Sequence, residues 1–285
     1  MSILAGQRIG VLLGLILMVS VSWAAPSKNL WPRWQAHNPQ SKQTINHQAF
    51  QAFLNHYVVH TDSGINAVKY AQVSDADQAK LHHYIQHLAN IDIDNYNRDV
   101  QMAYWINLYN ALTLQVVLQH YPVKSIRDID LGGGGLFSSL FGGGPWNAKL
   151  VTVEGKQLSL NDIEHRILRP IWQDPRIHYA VNCASYSCPN LSQTVYKGKH
   201  IDIMLDQAAK AYINSPRGVS IHNGKLQVSS IYKWYQADFG GNETGVIQHL
   251  KRYAKPRLKQ KLKSFNSIDN YYYNWQLNSL PNIQS

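Results

Sequence analysis

The sequence predicts an α+β fold in a single domain, with a buried central helix packed against a mainly antiparallel sheet. Three observations carry that prediction. The segment "VQMAYWINLYNALTLQVVLQHYP" places large apolar residues nearly all round a helix, so it must be covered on most sides. Two stretches, "KLVTVEGKQLSL" and "VSIHNGKLQVSS", read as β-hairpins. Helices and at least four or five strands follow one another mostly as hairpins, not as the strand–helix units of a doubly wound parallel sheet.

At the N-terminus Arg8 precedes "IGVLLGLILMVSV" and the small residues of "SWAAP". A positive start, an apolar run of about a dozen residues and an A-x-A-like site describe a secretory signal peptide, residues 1–24, cleaved after Ala24. The run is shorter than the roughly 20 residues a spanning helix needs. The expected location is therefore periplasmic or secreted. Residues 25–45 hold three prolines and two tryptophans and read as an extended lead-in packed by its aromatics. Residues 46–285 are taken as one globular domain.

Within that domain, "HQAFQAFLNHYVVH" sets Phe50, Phe53, Leu54 and Tyr57 on one helical face. "SDADQAKLHHYIQHLANI" opens with Ser74 or Asp75 as N-cap and aligns Leu81, Tyr84, Ile85 and Leu88. The central helix follows and ends at Tyr121-Pro122. "LGGGGLFSSLFGGGPW", residues 131–146, holds seven glycines and reads as a mobile loop. It is either a tolerated insertion or a lid over a site, and it lacks the ending of a phosphate-binding loop. After the first hairpin, which turns at Glu154-Gly155, "NDIEHRILRP" is expected as a short helix capped by Asn161 with Glu164 at capping-box spacing and stopped by Pro170. "RIHYAVNC" reads as a strand. "HIDIMLDQAAKAYINSP" is a helix with Ile201, Met204, Leu205, Ala208, Ala209 and Tyr212 inward. The hairpin at Asn223-Gly224 suits a type I′ turn. "SIYKWYQADF" and "TGVIQHLKRYA" lead to the basic "KPRLKQKLKS".

A formal net charge of +10 would suggest nucleic acid as a partner for a cytosolic chain. Export removes that expectation in favour of an unknown small molecule or an envelope peptide or polysaccharide. The seven Lys and Arg residues from Lys251 to Lys263 read as a solvated helix face or as a contact for anionic lipid.

Both cysteines lie in "IHYAVNCASYSCPNL". In an oxidising compartment a Cys183–Cys188 disulfide is one expectation. The other is a reactive thiol. On a regular strand His178 and Cys183 point to opposite faces, whereas Cys188 is free of that constraint, and Pro189 could open a helix whose N-terminus lowers the thiol pKa. Cys188 is thus the preferred nucleophile, with His178 or His165 as base and Glu164 as the group that orients it. Asn107 and Asn110 share one face of the buried central helix; they either hold neighbouring loop backbone or line a polar site. The His56/His60 and His83/His87 pairs have helical metal spacing but no third ligand, so neither metal nor cofactor is expected.

"AYWINLYNALTL", "LNDIEHRILR", "DPRIHYAVNCASYSCPNL" and "YYYNWQLN" together resemble the domain of unknown function 547 (DUF547) family, from about residue 75 to residue 278. The resemblance puts Trp105, Asn107, Asn110, Glu164, His178, Cys183, Ser187, Cys188 and Pro189 at motif positions. Tyr104 and Tyr273 depart from the Phe and Asp of its commonest forms. The motif mixture is compatible with a papain-like or transglutaminase-like thiol site by analogy only. The expected function is a thiol-dependent hydrolase or acyl transferase acting on an envelope substrate, with Cys188, His178, His165 and Glu164 catalytic and Asn107, Asn110, Cys183 and Ser187 binding. The alternative is a non-enzymatic periplasmic binding or structural protein with one disulfide.

Overall fold

The computed structural model describes residues 27–132 and 144–280. The expected signal peptide and most of the glycine-rich loop lie outside the described residues. The lead-in makes one 3₁₀ turn, Pro32–Gln35, and buries Trp34 edge-on against Trp105. Helix α1 (Gln48–Tyr57) runs directly into strand β1 (Val58–His60), which pairs antiparallel with β2 (Asn66–Val68). That early switch leaves His56 on the helix and His60 on the strand, so the pair lacks helical metal spacing. Helix α2 (Asp75–Ala89) starts at Ser74, whose side chain accepts from the Asp77 amide.

Helix α3 (Arg98–His120) is the centre of the molecule, and 18 of its 23 residues are buried. Its covering differs from the expectation. It packs on α2, on the helical turns around residues 162–168 and 198–200, and on the helix that follows, and among the described residues no single sheet faces it. The strands are too short to build one. β3 (Val151–Val153) and β4 (Lys156–Leu158) form a second antiparallel ribbon. Its type I′-like turn holds Glu154 at φ 46° and Gly155 at φ 72°.

Residues Asp162–Leu168 form a π-helix that passes into α4 (Arg169–Trp172). Asn161 is already helical and caps nothing. Ser159 and Asp162 cap the turn reciprocally, two residues earlier than expected, each side chain accepting from the other's amide. Pro170 does not stop the helix. It sits where the π-helix passes into α4, and the carbonyls of His165 and Arg166 in the preceding turn accept from the Asn29 and Trp31 amides.

Helix α5 (Ile201–Ile213) precedes β5 (Val219–His222) and β6 (Lys225–Ser229), joined through Asn223 and Gly224 at φ 49° and 73°. α6 (Ile231–Trp234), α7 (Glu243–Tyr253) and α8 (Pro256–Leu262) follow, and β7 (Asn270–Tyr272) adds parallel to β6. Among the described residues the sheets are therefore two antiparallel ribbons and one mixed three-stranded sheet. Six of the seven cations between Lys251 and Lys263 are exposed, and Leu262 is buried beneath them. No helix of the described residues is long and apolar enough to cross a membrane.

The apolar interior falls into two clusters. One surrounds α3; the other joins α5, the three-stranded sheet and α6 to α8. The cysteine stretch runs along their seam, with Ile177, Ala180, Val181 and Ala184 in the first and Tyr179 in the second.

Candidate functional site

The stretch expected as a strand is a 3₁₀ helix, Pro175–Tyr179, followed by a loop. Two residues ahead of "RIHYAVNC" explain the difference. The Asp174 side chain accepts from the Arg176 amide as a cap, and Pro175 presets the first helical turn. No strand alternation therefore governs His178 and Cys183. Nor does Pro189 open a helix, since residues 189–197 are irregular.

Four outside groups hold the loop. The Asn110 amide donates to the Ala180 carbonyl at 2.9 Å and accepts from the Asn182 amide at 2.8 Å. Asn107 makes the same two-way bond with the backbone of Tyr196. Both side chains thus serve loop backbone, the first of the two expectations for them. Half-buried Arg217 donates to the carbonyls of Tyr186 and Cys188 and to Asn190 Oδ1. The closing segment lies alongside, with Tyr186 and Ser187 amides donating to Gln276 and Asn274 carbonyls and the Ser187 hydroxyl accepting from the Asn274 amide. Ser187 is 1% exposed and fixes this contact. Inside the loop Ala184 sits at φ 56°, a left-handed conformation that costs a residue with a Cβ about 1–2 kcal/mol. Strain of that kind between two cysteines is characteristic of sites where geometry is imposed.

Cys183 and Cys188 are free thiols, not a disulfide. Their Sγ atoms stand 2.8 Å apart, and the Cys183 amide donates to Cys188 Sγ at 2.9 Å. Cys183 is partly exposed, with the Tyr273 hydroxyl at 3.1 Å and the Ser185 hydroxyl at 3.4 Å from its sulfur. Burial raises this thiol, but its hydrogen bonds with Cys188, Ser185 and Tyr273 outweigh burial and bring its pKa below the ordinary value. Cys188 is 4% exposed, and burial together with the neighbouring Cys183 sulfur pushes its thiol well up. The order of preference between the two cysteines is thus reversed relative to the sequence expectation.

The acid and imidazole groups gather nearby around the π-helix. His178 Nε2 lies 2.8 Å from Asp238 Oδ2, and its Nδ1 lies 3.6 Å from Glu164 Oε1. Tyr235 stacks on the His178 ring at 4.0 Å. Arg169 Nε donates to Asp238 at 2.7 Å, and Lys28 of the lead-in reaches the other Asp238 oxygen at 3.0 Å. Arg169 Nη1 is 2.9 Å from His165 Nδ1. A guanidinium only donates, so that ring nitrogen accepts and His165 carries its proton on Nε2. Burial pulls His165 down to about 4. Burial raises Glu164, but the charges of His165, His178 and Arg169 prevail and hold it at about 2. Burial likewise opposes ionisation of Asp238, and hydrogen bonds from His178 and Arg169 keep it well below the usual carboxylate range.

Both His178 nitrogens therefore face carboxylates, and the His165 Nδ1 lone pair faces Arg169. Among the described residues no imidazole nitrogen makes a hydrogen bond to either sulfur, so the expected cysteine–histidine dyad is not assembled. Two tyrosines lie within electrostatic range of both groups. Tyr109 and Tyr235, both held neutral first by burial, each feel the charge of Glu164 and of Cys183.

Sequence reasoning missed Tyr273, Ser185, Arg217, Tyr235 and Asp238. Tyr273 alone carried a signal, as a departure from the commonest family form. The partly exposed rings of Trp234, Tyr273 and Trp275 pack within 4.7–5.6 Å of one another and give the thiol an aromatic border. One group of three metal-capable side chains occurs among the described residues, Asp92, Asp94 and Glu154; Arg33 pairs with Asp94 and Glu154.

Residues 93–213, from the turn before α3 through the cysteine loop to the end of α5, match the family model described as "Protein of unknown function, DUF547". No curated protein and no solved structure matches the chain.

Proposed function

The chain being a DUF547-family protein, matched over residues 93–213, we propose that it is an exported thiol-dependent hydrolase or acyl transferase whose nucleophile is Cys183. One observation carries this reading: a partly exposed sulfur with the Tyr273 hydroxyl at 3.1 Å, a donor that favours its thiolate, and the Ser185 hydroxyl at 3.4 Å, itself 2.9 Å from Tyr273. The thiolate form of Cys183, favoured by these contacts, attacks an acyl carbon. The carbonyl π pair moves to oxygen, and collapse of the adduct expels the leaving group, which takes a proton from Tyr273. Water or an acceptor nucleophile then releases the thioester, and Tyr273 recovers its proton from solvent or from that nucleophile.

Glu164, His178 and Asp238 act here as positioning residues, since they anchor the helical turn that leads into the thiol loop. The aromatic border suits an acyl group with apolar surface. Envelope material is the substrate class consistent with an exported basic chain, and the N-terminal sequence of the purified protein, expected to start at Ala25, checks export. The reaction is tested by labelling the native protein with an activated acyl ester. Cys183→Ser should abolish labelling and Cys188→Ser should keep it. Undiminished labelling of Cys183→Ser would sink the assignment.

A further inference from the structure

The two thiols are unequal partners. Cys183 opens to solvent, whereas Cys188 is 4% exposed and its sulfur meets Cys183 at 2.8 Å. A disulfide bond is about 2.05 Å long, so joining these sulfurs needs only a small approach of one to the other. The loop is fastened on both sides of the pair, by Asn110 at Ala180 and Asn182 and by Arg217 at the Cys188 carbonyl. The Cys183 amide N–H aimed at Cys188 Sγ supplies a donor to that sulfur when its proton leaves. An accessible sulfur that meets an outside partner, backed by a buried sulfur that can reach only the first, is the arrangement thiol–disulfide exchange requires.

Resting on the assignment of Cys183 as the reactive thiol, we infer that the Cys183–Cys188 pair also reduces small accessible disulfides and is itself left as an intramolecular disulfide. The Cys183 thiolate attacks one sulfur of the external disulfide. Its S–S electron pair departs with the other sulfur, which leaves as a thiolate and takes a proton from water. Cys188 then releases its proton to water and attacks Cys183 Sγ, which expels the second external thiolate, protonated in turn. One external disulfide is reduced to two thiols, and two protein thiols are oxidised to one disulfide. The oxidised pair offers no nucleophile to an acyl carbon, so the exchange also silences the proposed acyl transfer.

The experiment incubates the reduced native protein with oxidised glutathione, quenches with acid, alkylates under denaturing conditions and weighs the product. Wild type should lose two hydrogens, take up no alkyl groups and retain no glutathione. Cys188→Ala, or Cys188→Ser if the first variant folds poorly, should trap one glutathione on Cys183. Cys183→Ala should keep Cys188 free. Wild type that retains two alkylatable thiols, or that carries a lasting glutathione adduct, overturns the inference. Acyl labelling of Cys183 without disulfide closure overturns this inference alone; closure without acyl labelling overturns the acyl-transfer reading alone.

Discussion

Tyr273 is the residue on which the behaviour of Cys183 turns. Its hydroxyl bonds Ser185 Oγ at 2.9 Å and lies 3.1 Å from Cys183 Sγ, so it can donate to a thiolate while Ser185 supports it. A hydrogen bond to a charged group contributes about 1.5 kcal/mol or more, roughly one pKa unit. Tyr273→Phe should therefore shift the pH profile of Cys183 alkylation upward by about one unit while leaving the far-UV spectrum unchanged. An unmoved profile would remove Tyr273 from the account. The two cysteines were legible in the sequence as the only ones present, but their ranking was not. What separates them is burial of one and a donor to the other from 90 residues away along the chain. Asp238 escaped notice for the same reason, because it meets His178 across 60 residues and belongs to no local pattern.

Among the elements, α3 does two jobs with one sequence. Its apolar residues fill the first cluster, and Asn107 and Asn110, one turn apart, reach out of that cluster to grip loop backbone. Removing the Asn110 amide would leave the buried Ala180 carbonyl and Asn182 amide without these bonds, at about 1–3 kcal/mol each. Asn110→Ala should lower the unfolding free energy by about 2–4 kcal/mol in urea titrations and loosen the thiol loop; a loss under about 1 kcal/mol would contradict the clamp. Elements with strong local signals were readable in advance: α2 with its Ser74 cap, α5 with its apolar face, and both hairpins with their turn residues. The 3₁₀ turn at Pro175–Tyr179 was not, because its apolar run resembles a strand while Asp174 and Pro175 just outside it decide the conformation. The π-helix has no sequence signature of its own. It is recognised only by the cluster it builds, which places Glu164 beside both His165 and His178.

Across the whole molecule, the site occupies the seam between two apolar clusters, and titratable groups buried around that seam and in each cluster tie stability to pH. Burial is the largest cause that pulls His47, His165 and His249 down to about 4 from 6.5. A histidine depressed in the folded state stays neutral there while its unfolded counterpart protonates, so stability falls as pH drops from about 6.5 toward about 4. At pH 5 unfolding should take up about three protons from these side chains. Glu164, held at about 2, adds a further loss only once pH falls below the ordinary carboxylate value of 4.5 toward 2. The urea midpoint should therefore decline steadily between pH 6.5 and 4.5, and a flat midpoint would contradict neutral buried histidines. The proposed function requires that the fold make Cys183 the reactive thiol and shelter Cys188. It is tested most directly by alkylating the reduced native protein with iodoacetamide across a pH series and reading each cysteine separately by peptide mass spectrometry. Cys183 should react first, with a midpoint below the ordinary thiol value, while Cys188 stays unmodified. Equal rates, or Cys188 reacting first, would contradict it.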